Sequence, residues 1–111
     1  MVAAAKKFTA TDGTEFTDRN AWRKYEFETQ YTFKRKHGET LVKLPDAVQG
    51  QPFELMDLTD CDVQLLDHSE QVQCDDLHNC KVFIAACSEA LFVRNCTNCT
   101  FIAACKQVII V

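Results

Sequence analysis

The chain has 111 residues, a formal net charge of −4 and an apolar share of 47%. This length allows one domain, and the charge gives no electrostatic reason to expect DNA, RNA or an anionic membrane as a partner. No apolar run approaches the roughly 20 residues that span a bilayer, and Val2 stands where N-myristoylation requires glycine. The sequence therefore predicts a cytoplasmic protein without a membrane anchor of its own.

The first part of the chain predicts a hairpin and then a helix. Residues 8–10 and 14–16 flank Asp12-Gly13, which is a typical hairpin turn. Thr17 is a candidate N-cap for a helix that runs through Trp22 and Tyr25. However, apolar and polar residues alternate from Tyr25 to Phe33, and alternation favours a strand. We expect a short helix followed by a strand, in an N-terminal extension of residues 1–30.

The segment before Pro45 predicts one more turn and strand. His37-Gly38 is a turn signal, and residues 39–44 predict a strand. Composition then changes, because all seven cysteines follow Pro45 while the tryptophan and both tyrosines precede it. We expect a second region over residues 31–111.

The second half of the chain repeats itself at an interval of 19 residues. Residues 60–65 recur as residues 79–84 and again as residues 98–103. Further positions keep the same interval: Phe53, Val72, Leu91 and Ile110; Leu58, Leu77 and Cys96; Asp57, Asp76 and Asn95. Apolar residues alternate within each repeat, and a short strand unit must stack on its neighbours to bury its apolar face. The pattern predicts an all-β fold, a right-handed parallel β-helix with coils of about 19 residues.

The seven cysteines favour a structural reading. Their odd number and the absence of an export signal indicate reduced thiols. Only one Cys-x-x-Cys pair is present, Cys96-x-x-Cys99, whereas zinc knuckles come in pairs. We interpret the cysteines as small apolar core residues, in preference to a metal or redox site, with Cys61, Cys80 and Cys99 in one inward column. We expect no metal and no cofactor.

Two sets of polar residues allow both a functional and a structural interpretation. Asp75 stands 19 residues before Arg94, so the two should face each other on adjacent coils, either as a structural ion pair or as a partner-facing site. The Asp67-His68-Ser69 run contains the residue types of a hydrolase triad. A triad converges from separate places, however, so a corner that satisfies backbone groups is the better interpretation.

The motifs that carry the repeat also resemble a known family. They are Gly50-Gln51-Pro52-Phe53, Leu66-Asp67-His68-Ser69, Asp75-Asp76, Asn79-Cys80, Phe92-Val93-Arg94-Asn95-Cys96 and Ala104-Cys105-Lys106-Gln107, preceded by Tyr31-Thr32-Phe33, Glu39-Thr40 and Leu44-Pro45. This series resembles the C-CAP/cofactor C-like domain, in the branch shared by tubulin cofactor C and the X-linked retinitis pigmentosa protein. The resemblance covers about residues 31–107, so residues 31–111 are expected to form part of such a domain.

The resemblance implies a regulator of the GTPase-activator type, rather than an enzyme in its own right, that docks on tubulin or an Arf-like GTPase. Its arginine finger would stabilise charge on the transferred phosphoryl group. Carried over residue by residue, the nucleotide-proximal positions are Glu89, Ala90, Lys106 and Gln107. The arginine position, two residues after Gln107, is occupied by Ile109. Family domains also continue for further coils, so we expect a truncated or alternative form of a longer product.

Two other functions remain as alternatives. A non-catalytic scaffold for a cytoskeletal or ciliary partner is favoured by the missing arginine. An actin-monomer binder, as in the related cyclase-associated proteins, is disfavoured by the Asp67-His68-Ser69 and Asn95-Cys96-x-Asn98-Cys99 motifs. The first alternative predicts binding without any effect on nucleotide hydrolysis.

Overall fold

The computed structural model describes residues 7–111. The chain divides into two compact units, one ending at Gln30 and one running from Tyr31 to Val111. Within the described part of the chain, no helix is both long and apolar enough to cross a membrane.

The N-terminal unit is a hairpin followed by a helix. Strand β1 (Phe8–Thr9) pairs antiparallel with β2 (Glu15–Phe16), which confirms the hairpin at Asp12-Gly13. Helix α1 spans Arg19–Gln30. The expected strand from Tyr25 is therefore wrong as far as Gln30, because these residues continue the helix.

The helix cap is Asp18, and the prediction of Thr17 as the cap is wrong by one residue. The Asp18 carboxylate accepts a hydrogen bond from the Asn20 amide at 3.1 Å. The Asp18 carbonyl accepts the first intrahelical bond, from the Trp22 amide at 3.0 Å. An aspartate satisfies this role because its short carboxylate reaches the free N–H groups of the first turn.

Seven parallel strands form the second unit. They are β3 (Thr32–His37), β4 (Thr40–Lys43), β5 (Phe53–Thr59), β6 (Asp62–Ser69), β7 (Val72–His78), β8 (Lys81–Arg94) and β9 (Thr100–Ile110). Phe53 pairs with Val72 and Asp62 pairs with Lys81, each 19 residues apart. The stacked, parallel coils confirm the predicted β-helix, and the break between β3 and β4 confirms the turn at His37-Gly38.

Each coil turns sharply at two positions where the backbone is left-handed. The first corner is formed by Asp57, Asp76 and Asn95, and the second by Asp60, Asn79 and Asn98, all with φ between 53° and 57°. Asn and Asp tolerate this conformation better than other residues with a β-carbon. The same side chains stack along the corners, since Asn79 Nδ2 donates to Asp60 Oδ1 and Asn98 Nδ2 donates to Asn79 Oδ1 at 2.9 Å. The repeated Asp and Asn residues thus define where each coil bends.

The core is a narrow set of inward columns. Its fully buried members include Phe53, Leu55, Leu58, Val63, Leu65, Val72, Cys74, Leu77, Val82, Ile84 and Leu91. Cys61 and Cys80 are buried and Cys99 is half-buried, as predicted for the inward cysteine column. Burial of such columns is the main favourable contribution to the stability of the β-helix.

The last coil departs from the 19-residue interval. Lys81 still pairs with Thr100, but two register shifts follow, and Leu91 pairs with Val108. The predicted alignment of Ile110 with Leu91 is therefore wrong, because Ile110 pairs with Val93. Strand β8 has two more residues between Ile84 and Ala90 than β9 has between Ala103 and Gln107. The pairing interval therefore falls from 19 to 18 at Cys105 and to 17 from Gln107 onward.

Candidate functional site

The four positions expected near a nucleotide lie together at one corner of the β-helix. Ala90 pairs with Gln107 across β8 and β9, and Glu89 and Lys106 precede them in their strands. Glu89, Lys106 and Gln107 are exposed, whereas Ala90 is buried. We call this group the Gln107 corner. The corner therefore presents two side chains of opposite charge and one amide to solvent.

Ile109 lies on the outer side of β9 next to this corner. It pairs with Phe92 of β8, and both side chains are half-buried. The register shift in β9 creates this pairing, since a constant 19-residue interval would have set Ile109 against Ala90. The surface at position 109, which the resemblance assigns to an arginine, is therefore apolar on both coils.

Arg94 lies two residues beyond Phe92 and faces the same outer side. Asp75 and Arg94 are paired in register, and Arg94 Nε donates to Asp75 Oδ1 at 3.0 Å. The Asp75 side chain is 11% exposed and that of Arg94 is 63% exposed. Gln73 Nε2 donates to the other Asp75 oxygen at 3.4 Å. The predicted ion pair is present, and its buried carboxylate fixes the direction of an exposed guanidinium. We call Gln73, Asp75, Phe92, Arg94 and Ile109 the Arg94 side.

The Asp67-His68-Ser69 run serves the backbone, as expected for a corner. Asp67 Oδ2 accepts hydrogen bonds from the amides of Val48 and Gln49, at 3.0 and 2.7 Å. These bonds, the Gln49 bond first, hold the pKa of Asp67 well below its usual value. Gly50 has φ +74° and donates to the His68 carbonyl, and a β-carbon there would lie 3.2 Å from the His68 ring. The motif therefore anchors the segment that leads into β5.

The cysteine thiols satisfy corner carbonyls. Cys61, Cys80 and Cys99 each donate to the carbonyl two residues earlier at 3.3 Å, and Cys80 and Cys99 also donate to the adjacent coil. Burial raises the pKa of the Cys74, Cys80, Cys87 and Cys96 thiols, most strongly that of Cys74. All seven cysteines are free, and within residues 7–111 no three His, Cys, Asp or Glu side chains form a group suited to a metal ion. These thiols pack and donate hydrogen bonds in the core.

One surface was not identified from the sequence. Phe83 and Ile102 point outward from β8 and β9 and are 41% and 60% exposed. Val82 and Ile84, which flank Phe83, point inward and are buried, and Phe101 and Ala103, which flank Ile102, are half-buried. The signal in the sequence was an uninterrupted apolar run around position 83. Strict alternation in a strand with one exposed face would place a polar residue there.

Comparison with known proteins identifies the family. The model of the family described as "Tubulin binding cofactor C" matches residues 50–111. Two curated proteins named "Tubulin-specific chaperone C", from Homo sapiens and Pongo abelii, are each 24% identical to the chain over 75 residues. The aligned part covers 68% of the chain but only 22% of each relative, so the chain spans about a fifth of their length. Since the family model matches more than half of the chain, and the fold is the stacked β-helix described above, the chain belongs to the tubulin binding cofactor C family.

Proposed function

We propose that this chain is a docking domain of the cofactor C type, which binds tubulin or an Arf-like GTPase without itself accelerating GTP hydrolysis. The observation that carries the proposal is the position of Ile109, outward-facing and paired with Phe92. An arginine finger contributes roughly 10³–10⁵ in rate by placing positive charge on the phosphoryl transition state. A hydrocarbon side chain supplies no such charge. The chain is then a regulator or chaperone component of the cytoplasm and cytoskeleton, and not an enzyme.

The proposed docking surface joins the Gln107 corner to the Arg94 side. Lys106 and Gln107 are exposed, and Arg94 projects a guanidinium that Asp75 orients through Nε. Protein interfaces are enriched in arginine and aromatic residues, and Phe92 supplies the aromatic ring between these polar groups. Family membership supports tubulin as the partner, and the resemblance of the corner to the nucleotide-proximal stretch supports a GTPase.

Single-turnover GTP hydrolysis by tubulin and by an Arf-like GTPase, with the chain in excess, tests the proposal. We expect binding in a calorimetric titration with one of the two partners and a rate change below about tenfold, or about 1.4 kcal/mol. Ile109→Arg should raise the rate by more than about tenfold, whereas Thr97→Arg, at an exposed position of the same coil, should not. Acceleration of about a hundredfold by the unmodified chain, or no binding to either partner, would contradict the proposal.

A non-catalytic cytoskeletal or ciliary scaffold is the second candidate function. The same aliphatic Ile109 favours it, because a scaffold does not need a charged group at this position. The two functions differ in nucleotide dependence: a GTPase regulator binds one nucleotide state of its partner more tightly, whereas a scaffold binds both equally. Calorimetric titrations against the GDP-bound and GTP-analogue-bound forms of the partner distinguish them.

A further inference from the structure

The side of the β-helix formed by β4, β6 and the first halves of β8 and β9 presents three outward columns. The first is Thr40, Asp62, Lys81 and Thr100, and the second is Val42, Gln64, Phe83 and Ile102. The third follows the last regularly paired positions and contains Leu44, Leu66, Ala85 and Ala104. We call these twelve residues the Phe83 side. It shares no residue with the Gln107 corner or the Arg94 side.

The Phe83 side is unusually apolar for an exposed sheet face. Val42, Leu44, Phe83 and Ile102 are 40%, 64%, 41% and 60% exposed. A shallow groove lined by Leu66, Phe83 and Ile102 crosses it. Antiparallel and parallel sheets alike normally cover such a face or make it polar. An exposed apolar patch rimmed by polar residues is typical of a protein-interaction surface.

The charges on this side are complementary to themselves. Asp62 and Lys81 are neighbours on adjacent strands and both are exposed. Within the described part of the chain, neither takes part in an ion pair. A two-fold axis lying in the interface, parallel to the strands and midway between β6 and β8, brings Asp62 of each copy opposite Lys81 of the other.

The same axis aligns the apolar columns. It places Val42 opposite Ile102 of the second copy, and Leu66 opposite Ala85 of the second copy. Each Phe83 ring lies next to the axis and faces Gln64 of the other copy. Isologous interfaces require this kind of self-complementarity, because each contact occurs twice. We propose that the Phe83 side is a self-association surface and that its occupant is a second copy of this chain, packed face to face about this axis.

The size of the Phe83 side determines the expected strength of self-association. Four strands about 4.8 Å apart and five residues along each strand give, with their side chains, on the order of 400–600 Å² per copy. A standard stable interface buries about 800 Å² per partner. The dimer is therefore reversible and dissociates on dilution. This inference does not depend on the proposed GTPase-related function.

Charge reversal tests the arrangement by sedimentation velocity over a concentration series. Asp62→Lys and Lys81→Asp each bring like charges together twice, so each variant alone should associate at least about tenfold more weakly than the unmodified chain. Asp62→Lys/Lys81→Asp should restore association. A mixture of the two single variants should form a heterodimer, because every contact then joins opposite charges. Glu70→Lys, an exposed position on another part of the coil, is the matched control and should associate normally.

Phe83→Ser tests the apolar part of the same surface and should also weaken association. Circular dichroism of every variant verifies that the β-helix is folded, as expected for outward positions. An unmodified chain that stays monomeric at all concentrations would overturn the proposal. So would equal association of the unmodified chain and Asp62→Lys, or a mixture of single variants that does not associate. A stable complex with a different protein on this side, without self-association, would equally exclude a second copy as the occupant.

Discussion

The two units of this chain are stabilised in different ways. No residue of helix α1 is buried, and the N-terminal unit relies on ring pairs and exposed hydrogen bonds. The Phe8 and Trp22 rings stack with centroids 5.2 Å apart, and the Phe16 and Tyr25 rings lie 5.1 Å apart. The β-helix instead buries continuous columns, and its side chains of Phe53, Leu55, Leu58 and Leu65 are inaccessible to solvent.

This difference indicates how stability is distributed. In the β-helix each inward residue contacts equivalents on the coils before and after it, so one position supports several coils. In the described part of the N-terminal unit, the side-chain hydrogen bonds between the hairpin and the helix and within the hairpin are exposed, and such bonds contribute little individually. We therefore expect perturbations of the β-helix to have larger effects than perturbations of the hairpin and helix.

The largest expected effect comes from a core truncation in the middle of the β-helix. Leu77→Ala removes a side chain that is 0% exposed and should destabilise the unit by about 2–5 kcal/mol, through lost burial and the cavity left behind. Met56→Ala, at an outward position that is 37% exposed, is the matched control and should cost less than about 1 kcal/mol. Urea unfolding followed by circular dichroism measures both. Equal effects of the two variants would refute the contrast between core and surface.

The single tryptophan allows unfolding of the N-terminal unit to be followed separately from unfolding of the β-helix. Trp22 is the sole tryptophan of the sequence and lies in α1, so its fluorescence reports on the N-terminal unit. We expect Leu77→Ala to move the circular dichroism transition further than the fluorescence transition. Identical shifts would mean that the two units unfold as one.

A smaller effect is expected at the second corner of the coils, which Asn79 shares with Asp60 and Asn98. Asn79 has φ 55°, so Asn79→Ala should cost about 1–2 kcal/mol of left-handed backbone strain in addition to the ladder bonds to Asp60 and Asn98. Asn79→Gly loses the same side-chain bonds but tolerates the backbone conformation. The alanine variant should therefore unfold at lower urea concentration than the glycine variant. The opposite order would contradict a cost of left-handed backbone strain at position 79.

The regular part of the β-helix was predictable because equivalent positions in successive coils require the same type of residue. Asp60, Asn79 and Asn98 occupy the same left-handed corner, and the next residue is a cysteine each time, facing the same narrow core. A residue requirement that recurs in each coil is visible as a repeat in the sequence. The ion pair between Asp75 and Arg94 followed from the same interval.

The irregular parts were not predictable from periodicity. In α1, aromatic residues at positions 25 and 27 coincide with a strand period, but the ring of Tyr25 packs on Phe16 and the backbone is helical. Packing between distant residues overrides a short local pattern. The shortened corner of β9 likewise changed the partner of Ile109 from Ala90 to Phe92. The residues of the candidate site could therefore be named from the sequence. Which of them lie next to each other depends on the shortened corner of β9, and this could not be predicted.

Acid should weaken the β-helix through Asp67. Its pKa is lowered in the folded chain from an ordinary value of 3.8, so its contribution to stability is complete above that value and is lost as the pH falls below it. Asp67→Asn keeps the shape but cannot ionise, so its free energy of unfolding should depend less on pH in this range. Urea midpoints measured from neutral pH down to about pH 3 test this. Parallel profiles for the variant and the unmodified chain would mean that Asp67 contributes nothing to acid sensitivity.

The smallest expected effect lies in the N-terminal unit. The Tyr25 hydroxyl donates to Asp12 Oδ2, and this bond is the main cause that lowers the pKa of Asp12. Tyr25→Phe keeps the ring contact with Phe16 but removes the donor, so the pKa of Asp12 should rise towards its ordinary value of 3.8. A nuclear magnetic resonance titration of the Asp12 carboxyl measures the change. The circular dichroism transition of the β-helix should stay where it is, because the exposed hairpin bond adds little to folding. An unchanged Asp12 titration would contradict the role given to Tyr25, and a large loss of β-helix stability would contradict the separation of the two units.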